Sequence, residues 1–195
     1  YKLTVYNFTP LNRDKVQILD VLPFVGDTSM TPNKEKVYIS RESEFANKFN
    51  YNKQVIVPEG YDVYYLNTPW QGMTDIIDNI DEKLNWESTP SENTSAIKII
   101  ARDGVELKAN SHLDIIVPMI APDNSDLKLS GKKAWNAYVR KDNKTIGYSE
   151  PNRVYNEMSS PKGKITLTKV GPDKTFKNKI KLSGALFELR DSDNN

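Results

Sequence analysis

The stretch Lys2–Phe8, KLTVYNF, places the aliphatic residues Leu3 and Val5 in alternation with polar or aromatic neighbours. Alternation with a period of two is typical of a β-strand that buries one face. Similar runs recur along the chain, and turn-forming sequences such as Pro58–Gly60 separate them at spacings of roughly ten residues. The predicted strands are Lys2–Phe8, Val16–Val21, Val37–Ser40, Gln54–Val57, Asp62–Asn67, Ala96–Ala101, His112–Met119, Lys133–Arg140, Ile146–Tyr148, Arg153–Met158, Lys164–Val170 and Ala185–Arg190. This pattern predicts an all-β protein with an immunoglobulin-like β-sandwich.

Two segments break the alternation and are predicted to form short helices. In Arg41–Asn50, Phe45 and Phe49 are spaced i, i+4 and would lie on one helical face. In Thr74–Leu84, Thr74 can cap the N-terminus of a helix. The apolar residues on one face of that helix are Ile76, Ile77, Ile80 and Leu84. We expect this helix to pack over the sandwich rather than to bind a ligand.

The composition excludes several classes of protein. The chain of 195 residues has no cysteine, which rules out disulfides, zinc–thiolate sites and cysteine catalysis. Lys and Arg number 27 against 26 Asp and Glu, and the two signs are interspersed, so the basic patch of a nucleic-acid-binding protein is missing. No apolar run has the length needed to span a bilayer, so no membrane insertion is expected.

Sequence motifs for catalysis are equally scarce. His112 is the sole histidine, and neither a Gly-x-Ser-x-Gly nucleophile elbow nor a Gly-x-Gly-x-x-Gly phosphate loop occurs. The oxygen-rich runs Asp123–Asp126 and Asp191–Asn194 lack the Gly and the distal Glu of an EF-hand loop. We therefore expect a protein that is not an enzyme and that has no cofactor and no metal site.

A domain boundary is predicted at Ser159–Gly163, where small and turn-forming residues separate two strand-like runs. The expected domains are residues 1–160, a β-sandwich domain, and residues 161–195. Strand-like sequence begins at residue 1 and continues almost to residue 195, so we expect the chain to be a segment of a longer protein.

The C-terminal stretch Lys164–Asp193 contains a Lys-bearing strand, a polar excursion and the strand Gly184–Leu189, GALFEL. This order resembles the opening of a B-type domain of collagen adhesins, which also occurs in sortase-assembled pilins. The match covers only the first part of such a domain. The resemblance therefore implies that residues 161–195 are an incomplete B-type β-domain that follows the sandwich.

Ordered pieces of Tyr1–Met158 resemble the domain that often precedes such modules in Gram-positive surface proteins. These pieces are Tyr1–Asn7, Val16–Pro23, Gly26–Thr28, Trp86, Ser95–Ile99, Leu113–Pro118, Ala121–Pro122 and Lys133–Tyr138. The resemblance implies an extracellular, cell-wall-anchored adhesin of the sortase type. Its implied partners are a host extracellular-matrix protein or a glycan, together with neighbouring domains of its own chain. The alternatives are a structural spacer or pilin-like subunit, and a carbohydrate-binding module of a surface enzyme.

In these families an intramolecular isopeptide bond often replaces the disulfide: a buried Lys amine attacks an Asn or Asp side chain, and a nearby carboxylic acid moves the protons. Burial suits this chemistry because it lowers the pKa of Lys and raises that of the acid, which favours neutral reactants. For the second domain the resemblance implies Lys169 as the reactive Lys, with partners beyond residue 195. For the first domain it pairs Asp20 as catalyst with Asn136 as acceptor, and Lys2 stands in for an upstream Lys. Alternatively, Asp20 and Asn136 only bond nearby backbone and turns.

Aromatic residues near the predicted helix are the candidates for ligand binding. Tyr61, Tyr65 and Trp70 cluster in this part of the sequence, and aromatic rings on loops can form a platform for sugars or peptides. Trp70 follows Pro69 in a predicted loop, so we expect it to be the exposed anchor of such a platform.

Overall fold

The structure, a computed structural model, describes residues 1–70, 84–145, 147–159, 170–172 and 179–181. The chain divides into two compact units, Tyr1–Ser160 and Pro161–Asn195. All helix or strand elements among the described residues are β-strands, and their pairings are antiparallel. The prediction of an all-β protein is confirmed.

The described part of the first unit contains thirteen strands. They are β1 (Lys2–Asn7), β2 (Arg13–Asp14), β3 (Gln17–Val21), β4 (Lys48–Phe49), β5 (Tyr61–Leu66), β6 (Trp86–Glu87), β7 (Ala96–Ala101), β8 (Glu106–Leu107), β9 (Ser111–Ile116), β10 (Met119–Ile120), β11 (Lys133–Asn136), β12 (Tyr138–Lys141) and β13 (Val154–Glu157). Five of these form one sheet in the order β12-β3-β7-β5-β6. The other strands pair two by two as β1 with β9, β10 with β4, β11 with β13, and β2 with β8.

An apolar core joins the five-stranded sheet to the β1–β9 pair. Its buried members include Leu3, Val5, Ile18, Ile97, Ile99, Leu113 and Ile115. These residues come from both sheets, and the strand period of two turns them to the shared side. Two antiparallel sheets with a common apolar core are consistent with a β-sandwich.

The other face of the five-stranded sheet is also covered. Leu19, the neighbour of Ile18 in β3, belongs to a second buried cluster with Val21, Leu66 and Val139. Side chains of adjacent strand residues point to opposite faces, so β3 contributes to both clusters. A strand that is buried on both sides carries an almost continuous apolar sequence, and QILDV in β3 has this character.

The prediction of a helix over Arg41–Asn50 is wrong. This segment contains no helix, and its residues Lys48–Phe49 form β4, which pairs with β10. The backbone is held by distant groups instead, since Glu44 N donates to Lys133 O over 2.8 Å. Such tertiary hydrogen bonds override local helix propensity.

The second predicted helix, Thr74–Leu84, lies outside the described residues except for Leu84. The predicted strand Lys133–Arg140 is split at Ala137, because β11 pairs with β13 whereas β12 pairs with β3. The predicted strands Val37–Ser40 and Gln54–Val57 form only isolated bridges.

The second unit is described over two short strands. They are β14 (Val170–Pro172) and β15 (Lys179–Lys181), which pair antiparallel with Gly171 opposite Ile180. The assignment of this unit to a B-type domain remains a prediction.

Candidate functional site

Asp20 lies inside β3, between Tyr138 of β12 and Ile97 of β7. It shares strand parity with Ile18, so its carboxyl faces the core between the two sheets. Its exposed fraction is 0%. Burying a carboxyl without partners is strongly unfavourable, so the groups around Asp20 define the site.

Two side chains from distant parts of the chain contact the Asp20 carboxyl. Asn136, at the end of β11, donates from Nδ2 to Oδ1 of Asp20 over 3.0 Å. The Tyr1 hydroxyl donates to Oδ2. Tyr1 leaves 39% of its surface exposed, yet its hydroxyl reaches inward because Tyr1 shares parity with Leu3 and Val5. We call these three residues, Tyr1, Asp20 and Asn136, the Asp20 cluster.

Desolvation sets the protonation of the Asp20 cluster. Burial raises the pKa of Asp20, and the hydrogen bonds from Tyr1 and Asn136 offset part of that rise. Burial, and then the nearby Asp20 carboxylate, raise the pKa of Tyr1 well above its ordinary value. The tyrosine therefore remains a hydrogen-bond donor, and the carboxyl keeps its proton to a higher pH than an exposed Asp does.

The cluster brings together two of the residues predicted for an isopeptide bond, but not the amine. Asp20 and Asn136 bond each other rather than nearby backbone. Lys2 is exposed and its Nζ lies 3.1 Å from Oδ2 of Asp114, on the face of β1 opposite to Tyr1. Lys169 lies outside the described residues. The interior position predicted for the Lys2 amine is therefore occupied by the phenol of Tyr1, which the sequence analysis missed.

Tyr1 and Asn136 both line a cavity at the surface, and the more deeply buried of the two is Asn136. The residue is 7% exposed, and its Oδ1 has no hydrogen-bond partner among the described residues. Two cavities of about 510 and about 330 Å³ are both lined by Asn136, and they share Lys2, Leu3 and Val154 as well. They therefore adjoin along β1 and form one groove between β1 and residues 149–156, which we call the β1 groove.

One wall of the β1 groove is aromatic. Tyr6 and Phe8 both line the larger cavity, and their rings stack with centroids 4.9 Å apart. Phe8 is 80% exposed and Tyr6 is 48% exposed. Exposed apolar rings beside a concave surface are typical of a contact site for a partner.

The aromatic residues predicted to bind a ligand lie elsewhere. Tyr61 and Tyr65 are buried in the main core, so their rings do not form an exposed platform. Their strand, β5, begins at Tyr61, and the period of two turns both rings to the same inner face. Trp70 is half-buried and packs against the second cluster rather than standing free as an anchor.

A second buried polar group, which we call the Arg41 clamp, was also missed from the sequence. The guanidinium of Arg41 donates to Val21 O over 3.3 Å, to Ala137 O over 3.1 Å and to Glu150 Oε1 over 3.1 Å. Asp27 Oδ2 lies 4.0 Å away. Arg41 is only 2% exposed, so one side chain ties together three segments in the interior. One of the carbonyl groups that accept from Arg41 belongs to Ala137, the residue between β11 and β12.

Within the described ranges, no group of three or more His, Cys, Asp or Glu residues could hold a metal ion. In that part of the chain no helix is long and apolar enough to cross a membrane. No family model matches the chain, and neither a curated protein nor a solved structure matches it. The geometry of the Asp20 cluster and of the β1 groove therefore carries the functional argument.

Proposed function

We propose that the Tyr1–Ser160 unit is a binding module of an extracellular, cell-wall-anchored adhesin, and that it holds a ligand without converting it. The observation that carries this proposal is the β1 groove, which combines a strand edge, exposed rings and a buried amide in one concave surface. Binding is favoured over catalysis because the Asp20–Asn136 pair, of which only Asn136 lines the groove, has no amine or activated hydroxyl beside it among the described residues.

The same proposal includes the finer fold and the domain that follows. We assign the first unit to an immunoglobulin-like sandwich and residues 161–195 to the start of a B-type domain. Support comes from the shared core of the two sheets and from the ordered resemblance in sequence. The expected ligand is a host extracellular-matrix protein or a glycan.

A solid-phase assay tests the binding function. The chain is applied to immobilised matrix proteins and glycans, alongside a Phe8→Ser variant and a Val25→Ser control, whose residue is 66% exposed and does not line the groove. We expect at least one ligand to bind the native chain and the control but not Phe8→Ser. Silence towards every ligand by a folded chain would contradict the proposal.

The Arg41 clamp favours a second candidate function, a structural spacer that carries load. A buried guanidinium that joins three segments would have to be pulled apart before the sandwich opens. For a spacer, the ligand screen would stay silent, and single-molecule unfolding would show a high force that Arg41→Met lowers. If the chain binds a ligand and Arg41→Met does not lower its unfolding force, the role of structural spacer is excluded.

A further inference from the structure

No strand among the described residues pairs with the outer edge of β1, and the register with β9 shows which backbone groups this edge presents. Tyr1 and Val117 exchange two backbone hydrogen bonds, each of 2.9 Å. In an antiparallel pair, hydrogen-bonded and non-hydrogen-bonded positions alternate. The odd residues of β1 therefore bond β9, whereas Lys2, Thr4 and Tyr6 point their N–H and C=O groups away from β9 and into the β1 groove.

The carbonyl groups on this edge are already occupied, but the amide groups are not. The Tyr138 hydroxyl donates to Thr4 O over 3.3 Å, and the Arg140 guanidinium donates to Tyr6 O over 2.7 Å. The N–H groups of Thr4 and Tyr6 donate to no acceptor among the described residues. The edge thus offers two main-chain donors at the spacing of alternate strand residues, which is the spacing of carbonyl groups along one edge of an extended chain.

Asn136 forms part of the floor of the groove. Its side chain is more than nine-tenths buried and the residue lines both cavities. Its Oδ1 has no partner within the described ranges, but this atom presents almost no surface to the groove. The apolar side chains of Tyr6, Phe8 and Val154 flank the same channel.

We propose that the β1 groove binds an extended peptide segment of another polypeptide as an added strand on β1. Carbonyl groups of the peptide accept from the Thr4 and Tyr6 N–H groups, and its apolar side chains contact Tyr6 and Phe8. Main-chain pairing with a free strand edge supplies affinity, and the side-chain contacts supply specificity. This inference rests on the proposed binding function and names the class of its ligand.

The peptide is found by panning a phage-displayed library of linear peptides on the full chain, and the selected sequence is then synthesised. The deciding variant is Thr4→Pro, which removes an N–H that β9 does not use, at an edge position where proline is tolerated. Its matched control is Thr4→Val, which keeps the N–H and loses the same hydroxyl bond to Asp114. Circular dichroism and thermal melting check that both variants fold.

We expect Thr4→Pro to weaken the synthetic peptide about tenfold or more relative to Thr4→Val, because one main-chain bond and its alignment are lost. N-methylation of the peptide should weaken binding at alternate positions only, because a methyl group on the edge that faces β1 clashes with the Tyr138 hydroxyl and the Arg140 guanidinium there, whereas one on the other edge faces solvent. Equal affinity for both variants, or uniform effects of N-methylation, would overturn the added strand. If the chain binds a matrix ligand but the panning selects no peptide, only the inference of an added strand is overturned. If the chain binds neither, the proposed function is overturned as well.

Discussion

Asn136 donates a hydrogen bond to Asp20 across 116 positions of the sequence, and this bond lies in the interior of the sandwich. Asp20 is on the five-stranded sheet, whereas Asn136 ends the strand that pairs with β13. The bond therefore joins two sheets at the point where the chain passes from one to the other. Its strength depends on the protonation of a buried acid, which makes it accessible to measurement.

The raised pKa of Asp20 predicts how stability changes with pH. The folded protein keeps the Asp20 proton to a higher pH than the unfolded chain does, so the stability that this group contributes is lost as the pH rises from about 4 through the raised pKa. An Asp20→Asn variant lacks this term. We expect the free energy of unfolding of the native chain to fall relative to that of the variant, by up to about 1.4 kcal/mol per pH unit within that window.

Urea unfolding at a series of pH values measures this difference, and Asp62→Asn is the control with the opposite sign. The hydrogen bond and charge of Arg102 lower the pKa of Asp62, so its contribution is lost as the pH falls through the lowered pKa. A pH profile of the Asp20→Asn variant parallel to that of the native chain would show that the acid is not desolvated.

Arg41→Met should destabilise the first unit strongly. The substitution preserves much of the side-chain volume but leaves Glu150 and two carbonyl groups without their donor in the interior, at a cost of about 3–5 kcal/mol. The matched control is Arg102→Met, which breaks an exposed pair of 2.7 Å with Asp62 and should change the free energy of unfolding little. Chemical denaturation of the two variants compares them, and similar losses would mean that burial does not distinguish the two ion pairs.

Ile115 and Ile116 test the alternation in β9, because they are adjacent and point to opposite faces. Ile115 is fully buried in the core and Ile116 is 38% exposed. We expect Ile115→Ala to lower the free energy of unfolding by about 2–5 kcal/mol and Ile116→Ala by less than about 1 kcal/mol. The register of β1 with β9 would be refuted by the reverse order.

Tyr1→Lys should place an amine beside Asp20 and Asn136. Position 1 shares the inner face of β1 with Leu3, so a Lys there occupies the place of the phenol. The buried acid can then transfer the protons while the Lys amine attacks the Asn136 side-chain amide and ammonia leaves. We expect the intact mass of this variant to lie one ammonia below its sequence mass, and the native chain to show no such loss. Adding Asn136→Ala should restore the full mass.

An unmodified Tyr1→Lys variant that folds with native stability would refute the position of residue 1 beside Asp20 and Asn136. Peptide mapping of the native chain supplies a further check. A cross-link from Lys2 to Asn136 would show that Lys2 turns inward, against the geometry of its pair with Asp114.

Strand period and apolar content were enough to predict the all-β class and the central strands. Ala96–Ala101 is found at its predicted bounds because its apolar run is buried on both faces and ends at turn residues. The resemblance in sequence pairs Asp20 with Asn136 for an isopeptide bond, and in the structure their side chains share a hydrogen bond. The outward direction of the Lys2 side chain was not predicted, although strand alternation alone puts Tyr1 rather than Lys2 on the side of Leu3.

Other features could not be predicted because they depend on distant parts of the chain. Arg41 lies in the polar run RESE, which resembles an exposed segment, and only its bonds to Val21, Ala137 and Glu150 explain its burial. Phe45 and Phe49 are both buried without a helix, because Phe45 lies in an irregular segment and Phe49 in β4. The β1 groove arises where the outer edge of β1 has no partner strand among the described residues, and local sequence does not show which edge of a strand is left unpaired.

The Arg41 clamp connects distant segments of the chain, as a disulfide could, in a protein that has no cysteine. Its bonds are formed from groups that need neither an oxidant to close nor a reductant to open. Each refolding event can therefore restore it without outside chemistry. We expect the thermal melting of the first unit to be indifferent to thiol reagents and to respond instead to any ion that competes for a buried guanidinium.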